Sequence, residues 1–267
     1  MNFYGYTGGE FAALMVIIFF FGLALGSFLN VVIYRLPKKE SIVYPGSHCP
    51  VCGSPIRYRD NIPVLSYVLL GGRCRTCSVR ISWRYPLVEL FTGCMMAGLF
   101  VLDGLSVQFA ADAILGVILF AAAAIDITYM IIPNRLTYPG MLIAVILSLR
   151  WGWYGLIRGA LGALTGFLIL SLMHLLGRLL FKRDSIGMGD VKLALVIGFF
   201  VGPFWSAVIL IIAVTLGGLL GIVQLTTGKR TRFSEIPFGP YIAAGGFCTL
   251  FFKSQILFLV EQYLDMW

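Results

Sequence analysis

Charge is what this sequence has least of. Only 12% of its 267 residues are Asp, Glu, Lys or Arg, against roughly 25% in an ordinary soluble domain. With 59% of residues hydrophobic, the chain lacks the polar surface that a water-soluble fold requires. A mean hydropathy of +0.92 excludes a disordered or nucleic-acid-binding chain as well. The net charge of +8 is therefore information about membrane topology. Also missing are a fixed-period repeat, a low-complexity tract and a G-x-G-x-x-G turn after a strand, so no soluble Rossmann cofactor site can be read here. No Lys or Arg precedes the first apolar run, and basic residues follow it, the reverse of a cleavable signal peptide.

What the sequence does have is apolar runs. Residues 11–33 carry no charge over 23 positions, about 35 Å as a helix and enough to cross a bilayer with some tilt. Further runs cover approximately 86–102, 107–125, 137–150, 157–181, 189–202, 205–226 and 237–260. The expected fold is an all-α polytopic membrane protein of about eight transmembrane helices. Residues 1–34 are its first span, 35–85 a cytoplasmic loop domain, and 86–267 a core with seven further spans. The runs at 137–150 and 189–202 have only 14 residues each. Nine basic residues against two acids, Glu40 and Asp60, lie between Arg35 and Arg84, which assigns this loop to the cytoplasm. Eight spans put both termini outside and 17 of the 20 basic residues inside, leaving Arg150, Arg158 and Lys253 toward the outer face. Trp151, Trp153, Tyr154, Trp205 and Trp267 then fall at outer ends, as interfacial aromatics do. The pairs Gly162/Gly166 and Gly217/Gly221 allow close helix packing.

The loop carries Cys49-x2-Cys52 and Cys74-x2-Cys77. Two cysteines three positions apart can turn both sulfurs toward one ion, and two such knuckles supply the four thiolates of a closed tetrahedral Zn²⁺ site. Four thiolates leave no open coordination position, so zinc here folds a loop too small to build its own core. A redox or disulfide role is the alternative, and a reducing cytoplasm argues against it. Arg73 and Arg75 are placed to stabilise thiolate charge. His48 adjoins the first knuckle as a loop residue, and Cys94 and Cys248 sit in apolar runs as small buried hydrophobes.

Asp126 ends one apolar run and Asp190 opens another inside Gly187-Met188-Gly189-Asp190. An ionisable residue at membrane depth is a functional candidate by default. The parity of the spans delivers both aspartates to the cytoplasmic face. Two carboxylates brought together share a proton and can act as base and acid around one water, the chemistry of an aspartic protease. Gly187 and Gly189 would let a substrate backbone approach. Asn30 and Glu89 are expected to form a buried polar contact between the first two spans, or Glu89 to pair with Arg84 or Arg35. Lys192 is expected to neutralise the dyad or to reach lipid phosphate, and Asp112 and His174 to be structural.

These motifs together resemble the bacterial prepilin peptidases, the GxGD-type leader peptidases of type IV pili and type II secretion. The likeness runs through GSFLNVVIYRLP from Gly26 to Pro37, the four-cysteine loop, RYPLVE from Arg84 to Glu89, Asp126 followed by Ile132-Pro133-Asn134, GMGD from Gly187 to Asp190, and PFGP from Pro237 to Pro240. It implies that Asp126 and Asp190 are the catalytic aspartates, and Asn134 stands where relatives often carry Asp. It further implies cleavage of a prepilin or pseudopilin leader after Gly on the cytoplasmic side of the bacterial inner membrane. Methylation of the new N-terminus from S-adenosylmethionine would follow. No methyl-transfer or cofactor-binding residue can be named from the motifs. The expected partners are these pilin substrates and membrane lipid, with no nucleic acid. Two other readings remain open from the sequence: a transporter or channel using the aspartates for cations or protons, and a peptidase of other membrane substrates without methyl transfer.

Overall fold

The computed structural model of the protein describes residues 5–181, 187–227 and 237–264. Regular structure among them is helical: α1 (Gly8–Arg35), α2 (Leu65–Leu69), α3 (Arg84–Asp103), α4 (Val107–Tyr129), α5 (Asn134–Ser148), α6 (Gly152–Phe181), α7 (Met188–Val201), α8 (Pro203–Thr226) and α9 (Gly239–Leu264). The chain divides into two compact units, residues up to Ala113 and residues from Ile114 on. The first unit thus takes in α1, the cysteine loop and α3.

In the first unit α1 begins at a capping box. Thr7 Oγ1 accepts the Glu10 N–H at 3.3 Å while Glu10 Oε2 accepts the Thr7 N–H at 2.8 Å, satisfying two orphan donors of the first turn. The pairing of α1 with α3 depends on absent side chains. A Cβ on Gly22 would come within 2.8 Å of Gly93 Cα, and one on Gly26 within 2.6 Å of Glu89 Cα. Such backbone proximity gives dispersion contact where no hydrophobic effect operates between helices.

In the second unit α7 is the buried element, packed by α6, α5 and α8. Val191, Leu193, Ala194, Val196, Ile197 and Gly198 are all buried. The Gly162/Gly166 spacing does bring α6 onto it: a Cβ at Gly166 would lie 2.8 Å from the Ala194 carbonyl oxygen, and Gly162 meets Gly198 and Gly202. Gly217 instead faces the ring of Tyr241, 3.3 Å from where a Cβ would stand. Arg158 donates to the Val201 carbonyl at 2.8 Å, placing a cation on the C-terminal end of α7.

Each of the eight apolar runs coincides with a helix, yet among the described residues six segments are long and apolar enough to cross a membrane. One of them is the continuous 46-residue stretch Asn134–Leu179 that contains α5 and most of α6. By itself α7, with 14 residues, spans only about 21 Å against roughly 30 Å of hydrocarbon. Its apolar composition serves protein packing, which demands hydrophobic residues as much as lipid does. Elsewhere the outward faces are apolar too, with Ile17, Phe20 and Phe21 each more than half exposed on α1, as on a surface that meets lipid. Trp151, Trp153 and Tyr154 are exposed, whereas Trp205 is buried with the Lys253 ammonium 5.7 Å from its ring centre. Trp267 lies outside the described residues. Cys94 is exposed and Cys248 half-buried rather than both enclosed, because an apolar run in such a protein has an outer face as well as an inner one.

Candidate functional site

Asp126 stands in the last turn of α4, 5% exposed. The helix stops because Met130 adopts a left-handed φ of 53°. Ile131 to Pro133 then run to Pro133, whose extended backbone opens α5. Asp190 is in the first turn of α7, 8% exposed, where an acid complements the positive end of the helix. Gly189 explains how that turn settles. A Cβ there would lie 3.0 Å from Ile132 Cβ and 3.3 Å from the Ile132 backbone nitrogen, so glycine lets α7 rest closely on the segment that leaves Asp126. Asp190 is thereby brought within electrostatic reach of Asp126. Gly187 stays exposed beside it, with the Asp190 Oδ2 3.2 Å from where a Cβ would point.

A third participant comes from the start of α9. The Gly239 N–H donates to Asp126 Oδ2 at 2.8 Å, a backbone donor of a helix N-terminus satisfied by a carboxylate. A Cβ on Gly239 would lie 2.9 Å from that same oxygen. Sequence reasoning noted PFGP only as part of a resemblance and gave Gly239 no role. Its signal was a Gly-Pro pair directly opening an apolar run. Asp190 Oδ1 has no hydrogen-bond partner among the described residues although it is buried. A buried carboxylate oxygen left open beside a second carboxylate is where a water or a substrate carbonyl fits.

Lys192 turns away from the dyad. Its ammonium donates to Asn134 Oδ1 at 2.8 Å and lies 5.6 Å from the centre of the Tyr138 ring. Asp112 accepts from Gln108 at 2.8 Å, a local helical pairing that fits a structural residue.

In the first unit the four cysteines converge. The sulfurs of Cys49, Cys52, Cys74 and Cys77 all lie within 4.8 Å of one another, with Cys49 and Cys77 3.8 Å apart and no disulfide between them. Zn–S bonds of about 2.3 Å in a tetrahedron put sulfurs about 3.8 Å apart. The two knuckles repeat one design: Cys49 N–H donates to Ser54 O and Gly53 N–H to Cys49 O, while Cys74 N–H donates to Val79 O and Ser78 N–H to Cys74 O. Gly53 and Ser78 hold the matching left-handed positions, at φ of 69° and 58°. Hydrogen bonds from the Ser54 hydroxyl and then its backbone N–H hold the Cys52 thiol down to about 6. Arg75 does not serve the thiolates. It grips Asp60 through two bonds of 2.8 and 2.6 Å, and that guanidinium holds the Asp60 carboxyl below the usual range. His48 bonds with Gly46 O at 3.0 Å, outside the cysteine cluster.

The Glu89–arginine pairing is not formed. Arg35 spends its guanidinium on the carbonyls of Ser41, Pro45 and Gly46, whose chain folds back over it. Glu89 Oε2 accepts the Val64 N–H at 2.7 Å, and Asn30 Nδ2 donates to Tyr85 O at 3.1 Å. The buried polar contacts between α1 and α3 are thus Asn30 with the Tyr85 carbonyl and Ser27 with the Glu89 side chain, not Asn30 with Glu89.

Comparison with known proteins agrees with this division. Residues 20–102 match the bacterial peptidase A24 N-terminal domain and residues 113–222 the type IV leader peptidase family. A prepilin leader peptidase/N-methyltransferase of Burkholderia pseudomallei is 37% identical over 95% of this chain and 89% of its own. The protein of that name in Myxococcus xanthus is 40% identical over 86% and 68%, and that in Bacillus subtilis 34% identical over 91% and 96%. No solved structure matches the chain. On likeness that extends over nearly its whole length, this chain belongs to the type IV leader peptidase family.

Proposed function

We propose that the protein is a membrane-embedded aspartic endopeptidase that removes the leader from type IV prepilins and pseudopilins, and that it then methylates the new N-terminus. The observation that carries the reading is the meeting of Asp126, Asp190 and the Gly239 N–H in one buried place. The two carboxyl groups share one proton. Asp126, its Oδ2 fixed by Gly239, draws a proton from the attacking water. Asp190, through its unpartnered oxygen, hydrogen-bonds the scissile carbonyl, and the proton passes to the leaving amine as the bond breaks. Gly187 leaves room for the substrate backbone beside Asp190. The excess of basic residues in the loop supports a site that faces the cytoplasm from the bacterial inner membrane. The relatives give no support to a transporter.

Four thiolates in tetrahedral range fit a structural Zn²⁺ bound by Cys49, Cys52, Cys74 and Cys77. The ion would hold the loop together and take no part in the hydrolysis. S-adenosylmethionine, when bound, supplies the methyl group.

Incubating the purified protein with a model prepilin and an isotope-labelled methyl donor, then weighing the products, tests the reading. The expected product is the pilin cut after Gly and heavier by one labelled methyl group. An intact prepilin would refute the peptidase, and a cut but unmethylated pilin would refute the second activity.

A further inference from the structure

The loop between α1 and α3 does not stay beyond the ends of these two helices. In the second turn of α3, Glu89 bonds with the Ser27 side chain of α1 and accepts the Val64 N–H at 2.7 Å. Ser27 stands eight residues before Arg35, the first charge after the apolar run of α1, about 12 Å back along the helix. Val64, the residue that opens α2, is thereby pinned beside the apolar part of α1. In the middle of α2 the ring of Tyr67 meets that of Trp83, with 5.1 Å between centroids, and Trp83 immediately precedes α3. The short helix α2 therefore lies alongside helices long and apolar enough to cross a membrane.

A segment that leaves water must satisfy its backbone within the protein. This one does: the Val64 N–H goes to Glu89, and between Leu65 and Arg73 seven N–H groups donate to carbonyls of residues 62–70. Its side chains divide by face. Ser66, Tyr67 and Leu70 turn toward the interior of the loop, whereas Leu65, Val68 and Leu69, spaced as one side of a helix, are 50%, 67% and 74% exposed. Trp83 beside them is exposed as well, and so is Leu87 one turn further on. Exposed arginines flank this apolar face in the chain, Arg59 before it and Arg73 and Arg80, neighbours across a β-bridge, after it. Asp60, the acid closest to it in sequence, is taken by Arg75.

We propose that α2 is an interfacial anchor for the cysteine loop. Leu65, Val68 and Leu69 insert among the acyl chains of the leaflet at which α1 ends, Trp83 sits at headgroup level, and Arg59, Arg73 and Arg80 meet the phosphates of anionic lipid. The occupant is lipid because the face lies at the level of a span, continues into the exposed Leu87 of α3 and carries a positive rim. The loop is then held to the bilayer at α2 as well as at its two ends. This anchor does not depend on what the protein cleaves or methylates.

The test uses the full-length, zinc-loaded protein in nanodiscs of phosphatidylcholine and phosphatidylglycerol. The photocrosslinker p-benzoylphenylalanine is placed at Leu69 or, as a control, at Val51 of the first cysteine turn, which is 68% exposed. After illumination, mass spectrometry should find lipid adducts at Leu69 and few at Val51. Hydrogen exchange of residues 64–73 should be slow in the nanodisc. It should become about tenfold faster when Val68→Glu and Leu69→Glu are combined, since charge resists burial in lipid. Discs of phosphatidylcholine alone should lower the adduct yield at Leu69 about threefold, as the arginines lose their partners. A yield indifferent to lipid charge would overturn the role of the arginines. Equal lipid labelling at Leu69 and Val51, or exchange unmoved by the two glutamates, would overturn the anchor. Adducts from Leu69 to residues 114–267, to a second copy or to an added pilin would overturn it too, by making the face a protein contact. The crosslink decides even if the glutamate variant fails to hold zinc.

Discussion

The cysteine cluster and the aspartate pair are built in opposite ways. All four thiols come from residues 49–77, each pair held by its own tight turn, so the cluster is a local structure that an ion can close. The aspartates come from the end of α4 and the start of α7, and their third partner, Gly239, is 113 residues from Asp126. Such a site exists only when the helices of the second unit are in place. A metal centre can therefore fold a loop, whereas this dyad must be folded by its surroundings. The difference also separates the tasks, since a closed thiolate shell is inert and two crowded carboxylates are not.

The comparison is broken most severely at the dyad. Asp126→Asn or Asp190→Asn should lower leader cleavage by about two to four orders of magnitude, because an amide cannot exchange the water's proton. Zinc content should not change, and a time course of prepilin processing with metal analysis on the same samples measures both. Gly239→Val comes next. Its Cβ would stand 2.9 Å from Asp126 Oδ2, and the displaced carboxylate should cost about 100-fold in cleavage rate. A Gly239→Val enzyme as fast as wild type would remove Gly239 from the site.

At the other region, stripping the metal should loosen the loop, seen as protease sensitivity within residues 35–84, and Cys52→Ser should bind Zn²⁺ more weakly. Hydrogen bonds hold the Cys52 thiol down to about 6, and Cys52 is exposed whereas Cys49 is buried. Mass spectrometry after brief iodoacetamide treatment should find Cys52 alkylated before Cys49. The smallest effect sharpens the border of the dyad. Because Lys192 serves Asn134 and Tyr138, Lys192→Gln should change cleavage by less than about threefold, in keeping with one exposed hydrogen bond.

Local order made the loop legible. The C-x2-C spacing read from the sequence is the same feature that the two turns realise, and nothing outside residues 49–77 is needed to recognise it. The membrane helices were legible as apolar runs, but a hydrophobic run does not say whether lipid or protein will cover it. That is why α7, buried by α6, α5 and α8, looks in sequence like a short span. Gly189 was legible as a place of close approach, though its neighbour turned out to be Ile132 of the same chain. From the sequence Glu89 is expected either to meet Asn30 or to pair with Arg84 or Arg35. Beside Ser27, it accepts a backbone N–H from a strained turn at Val64, and backbone strain leaves no mark in residue type. Gly239 was beyond reach because a contact between residues 113 apart is set by topology.

The central claim is that Asp126 and Asp190 act as one unit around one water. A double-mutant cycle tests it most directly: leader cleavage by wild type, Asp126→Asn, Asp190→Asn and the double variant, each verified as folded by its zinc content and thermal unfolding. Residues that work as a pair are strongly non-additive. The double variant should be no slower than either single one, with all three reduced to the same residual rate. Losses that multiply, or a single variant that cleaves near the wild-type rate, would contradict the dyad.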